Sequence, residues 1–275
     1  MIAIAALGVL GTLIGSFLNV VVYRVPRGAS IVSPPSACGS CGHEVRAYDN
    51  IPLVSWLLLR GKCRDCSAPI SARYPLVELA GAAAFGLVAW RFVPEIVTAF
   101  SSGAGGAGVA GILTLLAFLY LGAVSIALAL IDLDTRRLPN VLVLPMYVVG
   151  AVLFAAAALA AGQWQPLASA GIGLAGVGIC YLLLSVARPG AMGMGDVKLA
   201  GALGLFLGWL GPDTLAVGVI AGFLLGGGAG VVLLLRGAGR RASIAFGPWL
   251  LAGAWVGILA GPAIAGAYLG ALGLR

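Results

Sequence analysis

Two groups of residues in this chain are of types, and at spacings, that could do chemistry. One is a pair of aspartates, Asp132 in "DLDTRRLPN" (132–140) and Asp196 in "GMGDVKL" (193–199). The other is two CxxC pairs, Cys38/Cys41 and Cys63/Cys66, with 21 residues between them. The only histidine is His43, two residues past Cys41, so Ser–His–Asp and Cys–His mechanisms have no base to use. No HExxH is present for a zinc hydrolase. Carboxylates remain. Two in contact cannot both ionise cheaply, so they share one proton. The ionised member can then take a proton from water while the protonated one polarises a scissile carbonyl. That is aspartic-protease chemistry and needs no cofactor.

Around Asp196, Gly193 and Gly195 have no side chains and would let an extended substrate backbone come close. Lys198 reads either as a support for the loop or as a cation snorkelling to a membrane interface. Asp134 lies two residues from Asp132 and would face elsewhere on a helix. It reads as a partner of Arg136 or Arg137, or as a cap on the turn before Pro139. Asp213, after Pro212, reads as a helix N-cap. From spacing alone, Asp132 and Asp196 could equally be two helix-end charges touching solvent.

Paired CxxC turns each aim two sulfurs at one point, which suits tetrahedral zinc coordination; two disulfides are the competing arrangement. A four-cysteine shell has no open position, so its zinc would be structural, with Cys38, Cys41, Cys63 and Cys66 as ligands. His43 then reads as a surface residue, and Cys180 as a small packing residue. The segment lacks the dense basic and aromatic surface of nucleic-acid modules, so no nucleic-acid partner is expected.

These residues must be positioned by membrane helices. Of 275 residues 61% are hydrophobic and only 9% charged, where soluble chains carry roughly 25% charged residues. The expected fold class is an all-α polytopic membrane protein. Apolar runs near 20 residues place about eight transmembrane helices near 2–22, 75–93, 109–131, 141–161, 167–187, 197–211, 213–235 and 245–272. The sixth is short, its boundary with the seventh is weakly marked, and Pro262 should end or kink the eighth. The organisation read from this is a first helix (1–23), a zinc-ribbon-like segment (24–74) and a transmembrane core (75–275).

The chain has 16 Lys and Arg, of which seven lie from Arg24 to Arg73. With both termini outside, fourteen basic residues fall on the cytoplasmic side, Arg136, Arg137, Arg188, Lys198, Arg236, Arg240 and Arg241 among them. Only Arg91 and Arg275 fall on the other. That topology puts the cysteine segment and both aspartate motifs at the cytoplasmic face.

The motifs together resemble those of bacterial type IV prepilin peptidases, intramembrane aspartyl proteases of the GxGD type. "GSFLNVVVYRVPRG" (15–28) is similar to the family's opening helix, and the paired CxxC knuckles to its cytoplasmic insert. "SWLLLRGKCRDCSAPISARYPLVEL" (55–79), "DLDTRRLPN" and "GMGDVKL" are similar to further family motifs. The resemblance implies Asp132, seven residues before Pro139, and Asp196 as the catalytic pair. It implies an enzyme of the bacterial inner membrane, acting for type IV pili or type II secretion. Such an enzyme removes the short basic leader of prepilins or pseudopilins, after a glycine, at the cytoplasmic face. Relatives with the cysteine insert also N-methylate the new terminus with S-adenosylmethionine, which points to the first helix, the zinc segment and Glu78; Glu78 reads equally as an interfacial partner of Arg73. The alternatives are a peptidase without methylation, a proton-coupled transporter, or a scaffold in a secretion complex. A transporter would place acids near the midplane, and the apolar segments have none at their centres.

Overall fold

In the computed structural model, residues 1–187, 192–237 and 245–274 are described. Arg188, Arg240, Arg241 and Arg275, four of the charges in the topology argument, lie outside them, as does the start of the 188–196 loop. Nine α-helices are formed among the described residues: α1 (Ile2–Arg24), α2 (Val54–Leu58), α3 (Arg73–Ser101), α4 (Gly105–Thr135), α5 (Asn140–Ala161), α6 (Gln165–Ala187), α7 (Met194–Trp209), α8 (Pro212–Leu235) and α9 (Gly247–Ala271). The eight long ones coincide with the eight apolar segments. Seven are long and apolar enough to cross a membrane. The exception is α7, with 16 residues, which at 1.5 Å per residue extends about 24 Å against a hydrocarbon core of about 30 Å.

Of the two readings of Pro262, an end to the helix is excluded, because α9 continues to Ala271. The N-cap expected at Asp213 is corrected. Helix α8 is capped by Gly211, at φ +110°, with Pro212 opening the first turn; Asp213 therefore lies inside that turn. The fixed φ of proline suits a first helical position, and its missing N–H costs nothing there.

Residues 1–95 and 118–131 form one compact unit, and residues 96–117 and 132–275 the other. In the first, α1 lies against α3 at Gly11 and Gly81, where a Cβ on either would collide with the other's carbonyl oxygen. Close backbone approach through small residues is a main source of cohesion between helices in lipid. Phe92 stacks on Phe118 at 4.9 Å between ring centroids. The segment between α1 and α3 holds the four cysteines, α2 and two short 3-10 turns.

The second unit is organised around α7, which packs on α5, α6, α8 and α9. Eleven of its 16 residues are buried, which explains how a helix too short to span is accommodated. Gly173 on α6 meets Gly204 on α7 with no room for a side chain on either, and Gly253 on α9 meets the backbone of Gly222 on α8 with no room for a side chain on Gly253. At the end of α7, Trp209 stacks on Phe154 (4.6 Å, 6°) and donates its indole N–H to Thr114 Oγ1 at 3.2 Å.

Candidate active site and metal centre

Helix α4 extends further than the apolar pattern marks and closes at Arg136, in the left-handed region at φ +53°. Asp132 therefore sits in the last turn of a helix. It is buried, at 4% exposure, while Asp134 is exposed, as the helical period requires. Asp132 Oδ2 accepts a hydrogen bond from the backbone N–H of Gly247 at 3.0 Å. Gly247 is the first residue of α9. Its N–H is one of those that a helix leaves unsatisfied at its N-terminus, where the helix dipole also favours an anion.

Asp196 reaches a similar situation by a local route. Gly193 is the N-cap of α7, and Asp196 is the third residue of the helix. Its Oδ2 reaches back to accept from Gly193 N–H at 3.3 Å, the acidic half of a capping box. Each aspartate thus has one oxygen held by a glycine N–H at a helix N-terminus. The other oxygen has no hydrogen-bond partner among the described residues. The two carboxylates are close enough to act on each other electrostatically.

Leu138 fixes their surroundings. A Cβ on Gly195 would come within 3.1 Å of Leu138 Cβ, and one on Gly247 within 3.2 Å of Leu138 Cδ2 and 2.8 Å of Asp132 Oδ2. The missing side chain of Gly195 therefore makes room for Leu138. A Cβ on Gly193 would meet the Asp196 carboxylate at 3.4 Å and Gly195 N at 3.9 Å, both ordinary contacts. Lys198 donates from Nζ to Asn140 Oδ1 at 3.1 Å, tying the second aspartate motif to the last residue of the first. The Tyr147 hydroxyl donates to the Lys198 carbonyl. Sequence reasoning missed Gly247, Leu138 and Tyr147; the one signal for them is the "FGPW" start of α9, with proline in the first turn of the helix.

The cysteines assemble as their spacing predicts. Cys38 N–H donates to His43 O and Gly42 N–H to Cys38 O; Cys63 N–H donates to Ala68 O and Ser67 N–H to Cys63 O. The two turns are equivalent, each with a left-handed residue after its second cysteine, Gly42 at φ +75° and Ser67 at φ +60°. Arg64 grips Asp49 through Nε and Nη2, and Arg46 bonds Asp65 at 2.9 Å. The Arg64 hydrogen bonds hold the Asp49 carboxyl below the usual carboxylate range.

All four cysteines are free thiols, and their sulfurs lie within 4.8 Å of one another. The Cys38–Cys66 separation is 3.8 Å; bonds of about 2.3 Å to a tetrahedral zinc give an edge of about 3.8 Å. Backbone N–H groups of Cys41 and Ser40 pull the Cys38 thiol down to about 6. Cys66, against the N–H of Ala68, is pushed up to about 12 by burial and by the neighbouring thiols. Four such groups do not ionise together unaided, and a divalent cation among them removes the repulsion. The donor set fits zinc. His43 is exposed and outside the sulfur cluster, and Cys180 is exposed on α6 instead of packed.

Known proteins resemble this chain along most of its length. Residues 9–92 match the model of the bacterial peptidase A24 N-terminal domain, and residues 118–235 that of the type IV leader peptidase family. A Pseudomonas aeruginosa protein named prepilin leader peptidase/N-methyltransferase is 37% identical, over 97% of this chain and 93% of its own. Proteins of the same name from Neisseria gonorrhoeae and Aeromonas hydrophila are each 38% identical, over 92% and 94% of this chain and 89% and 90% of theirs. No solved structure matches the chain.

Proposed function

The chain belongs to the type IV leader peptidase family, and from that premise we propose that it cuts the leader from type IV prepilins or pseudopilins with Asp132 and Asp196 as its catalytic pair. It then N-methylates the exposed terminus with S-adenosylmethionine. The observation that carries the protease reading is the matched placement of the two acids: each is fixed through Oδ2 at a helix N-terminus and keeps a second oxygen for water and substrate. One carboxylate takes a proton from the attacking water as the new C–O bond forms. The other, protonated, polarises the carbonyl and then passes its proton to the departing amide nitrogen.

The protein is a multi-pass inner-membrane enzyme in this reading, with both termini outside and the aspartates at the cytoplasmic face, supported by the bias of Lys and Arg toward that side. Zinc held by Cys38, Cys41, Cys63 and Cys66 is structural. Lys198, Gly193 and Gly195 shape the motif around Asp196.

The test is incubation of the purified protein with a synthetic prepilin peptide, with and without methyl donor, and mass measurement of the products. Asp132→Asn and Asp196→Asn should each abolish leader removal without unfolding the protein. Continued cleavage by either variant refutes the dyad.

A further inference from the structure

The first unit contains a cavity of about 520 Å³ between α1, the start of α3 and the cysteine segment, within the ~300–1,000 Å³ range of small-molecule sites. Glu78 lines it and is 8% exposed. Its Oε2 accepts from Leu53 N–H at 2.7 Å. Among the described residues it has no cationic partner, and Oε1 has no hydrogen bond. A buried carboxylate without a counter-charge is costly, so the Glu78 end of the cavity suits a positive group. Arg24 lines the same cavity, with its guanidinium on the carbonyls of Ser30 and Pro34 and no carboxylate against it among the described residues. Between them, Ser16 and Asn19 offer polar groups, and Trp56 and Tyr74 aromatic surface. The Trp56 ring is held in place by its N–H bond to Ile70 O, at 3.2 Å, and by Gly61.

We propose that this cavity binds the methyl donor, S-adenosylmethionine, with Glu78 taking its positive charge, Arg24 its carboxylate and the aromatic rings its adenine. The donor has the features the lining lacks partners for: cationic sulfonium and ammonium groups, a carboxylate and a flat heteroaromatic base. When bound it supplies an electrophilic methyl carbon: the amine lone pair forms the N–C bond, the C–S pair returns to sulfur, and the amine releases a proton. Glu78 is a binding residue in this proposal, which rests on the methyl-transfer reading above.

The test uses the full chain in phosphatidylcholine nanodiscs with radiolabelled S-adenosylmethionine. Ultraviolet cross-linking should place label in peptides covering residues 16–24 or 53–78, displaced by S-adenosylhomocysteine. Label confined to residues 132–274, or displaced by phosphatidylethanolamine and not by S-adenosylhomocysteine, overturns the assignment. In equilibrium dialysis Glu78→Gln, which keeps an acceptor for Leu53, should weaken donor binding about ten- to hundredfold, the loss of a charge-assisted contact. Val20→Trp, which fills the cavity without changing charge, should abolish it. If the wild-type protein methylates while both variants bind within twofold of it, the site is wrong and the function stands. If the wild type cleaves prepilin peptide but neither methylates nor takes up label, the site and the methylation reading fall together.

Discussion

Replacing Gly247 by alanine tests whether the α9 N-terminus positions Asp132. The added Cβ would lie 2.8 Å from Asp132 Oδ2 and 3.2 Å from Leu138 Cδ2. Ordinary contact needs about 3.4 Å or more between such atoms, so the carboxylate must retreat by roughly half an ångström. The hydrogen bond from Gly247 N–H, now 3.0 Å, then lengthens past useful range. A hydrogen bond to a charged group is worth about 1.5–3 kcal/mol, or about 10- to 150-fold in rate if it is lost from the transition state. Cleavage of a prepilin peptide by Gly247→Ala should therefore fall by at least tenfold in kcat, with KM little changed. Gly227→Ala and Gly228→Ala, which meet nothing within 4 Å, serve as controls and should cleave at the wild-type rate. A Gly247→Ala enzyme that keeps kcat within twofold of wild type would show that this contact does not position the carboxylate.

The tie between the two motifs can be cut from either end. Lys198→Met or Asn140→Ala should lower thermal stability by about 0.5–1.5 kcal/mol, one partly exposed hydrogen bond. The double variant should cost no more than the worse single one, as read by thermal unfolding in detergent. For the cysteine segment, elemental analysis should find one zinc per chain. Chelation, or Cys63→Ser, should release it and expose residues 24–72 to limited proteolysis, because the knuckles have little apolar core to hold them otherwise.

Features written locally were legible in the sequence. Eight apolar runs became eight helices, seven of them long enough to cross a bilayer, because an apolar run of about 20 residues is what a membrane helix requires. The CxxC pairs converged because each knuckle is a closed backbone turn that aims its own sulfurs. Asp196 and its cap lie within four residues, and that geometry follows from GxGD opening a helix. Asp132 could be singled out, but its partner could not. Gly247 is 115 residues away, and no periodicity records which helix end meets which side chain. The same holds for Leu138, whose neighbours Gly195 and Gly247 come from two different helices. A Cβ on Gly195 would press on Leu138, a packing reason for this glycine that the sequence does not carry.

The two acids are therefore held by different means, and this has a consequence. Asp196 lies in the first turn of its own helix, where the backbone favours an anion wherever that helix goes. Asp132 lies in the last turn of α4, where the partial negative charge disfavours a carboxylate by about 0.3–1 kcal/mol. It relies on a foreign N–H, and so on the docking of α9. That docking runs through α8, where Gly253 meets Gly222 and a Cβ would also come within 2.8 Å of Gly218 O. Gly253→Val should push α9 from α8 at an overpacking cost of about 1–3 kcal/mol and withdraw Gly247 from Asp132. Leader cleavage should then drop about as far as in Gly247→Ala, although residue 253 touches neither acid. Gly176→Val, at a helix position with open space around it, should leave cleavage intact. Equal rates for the two valine variants would mean that Asp132 keeps its geometry without α9.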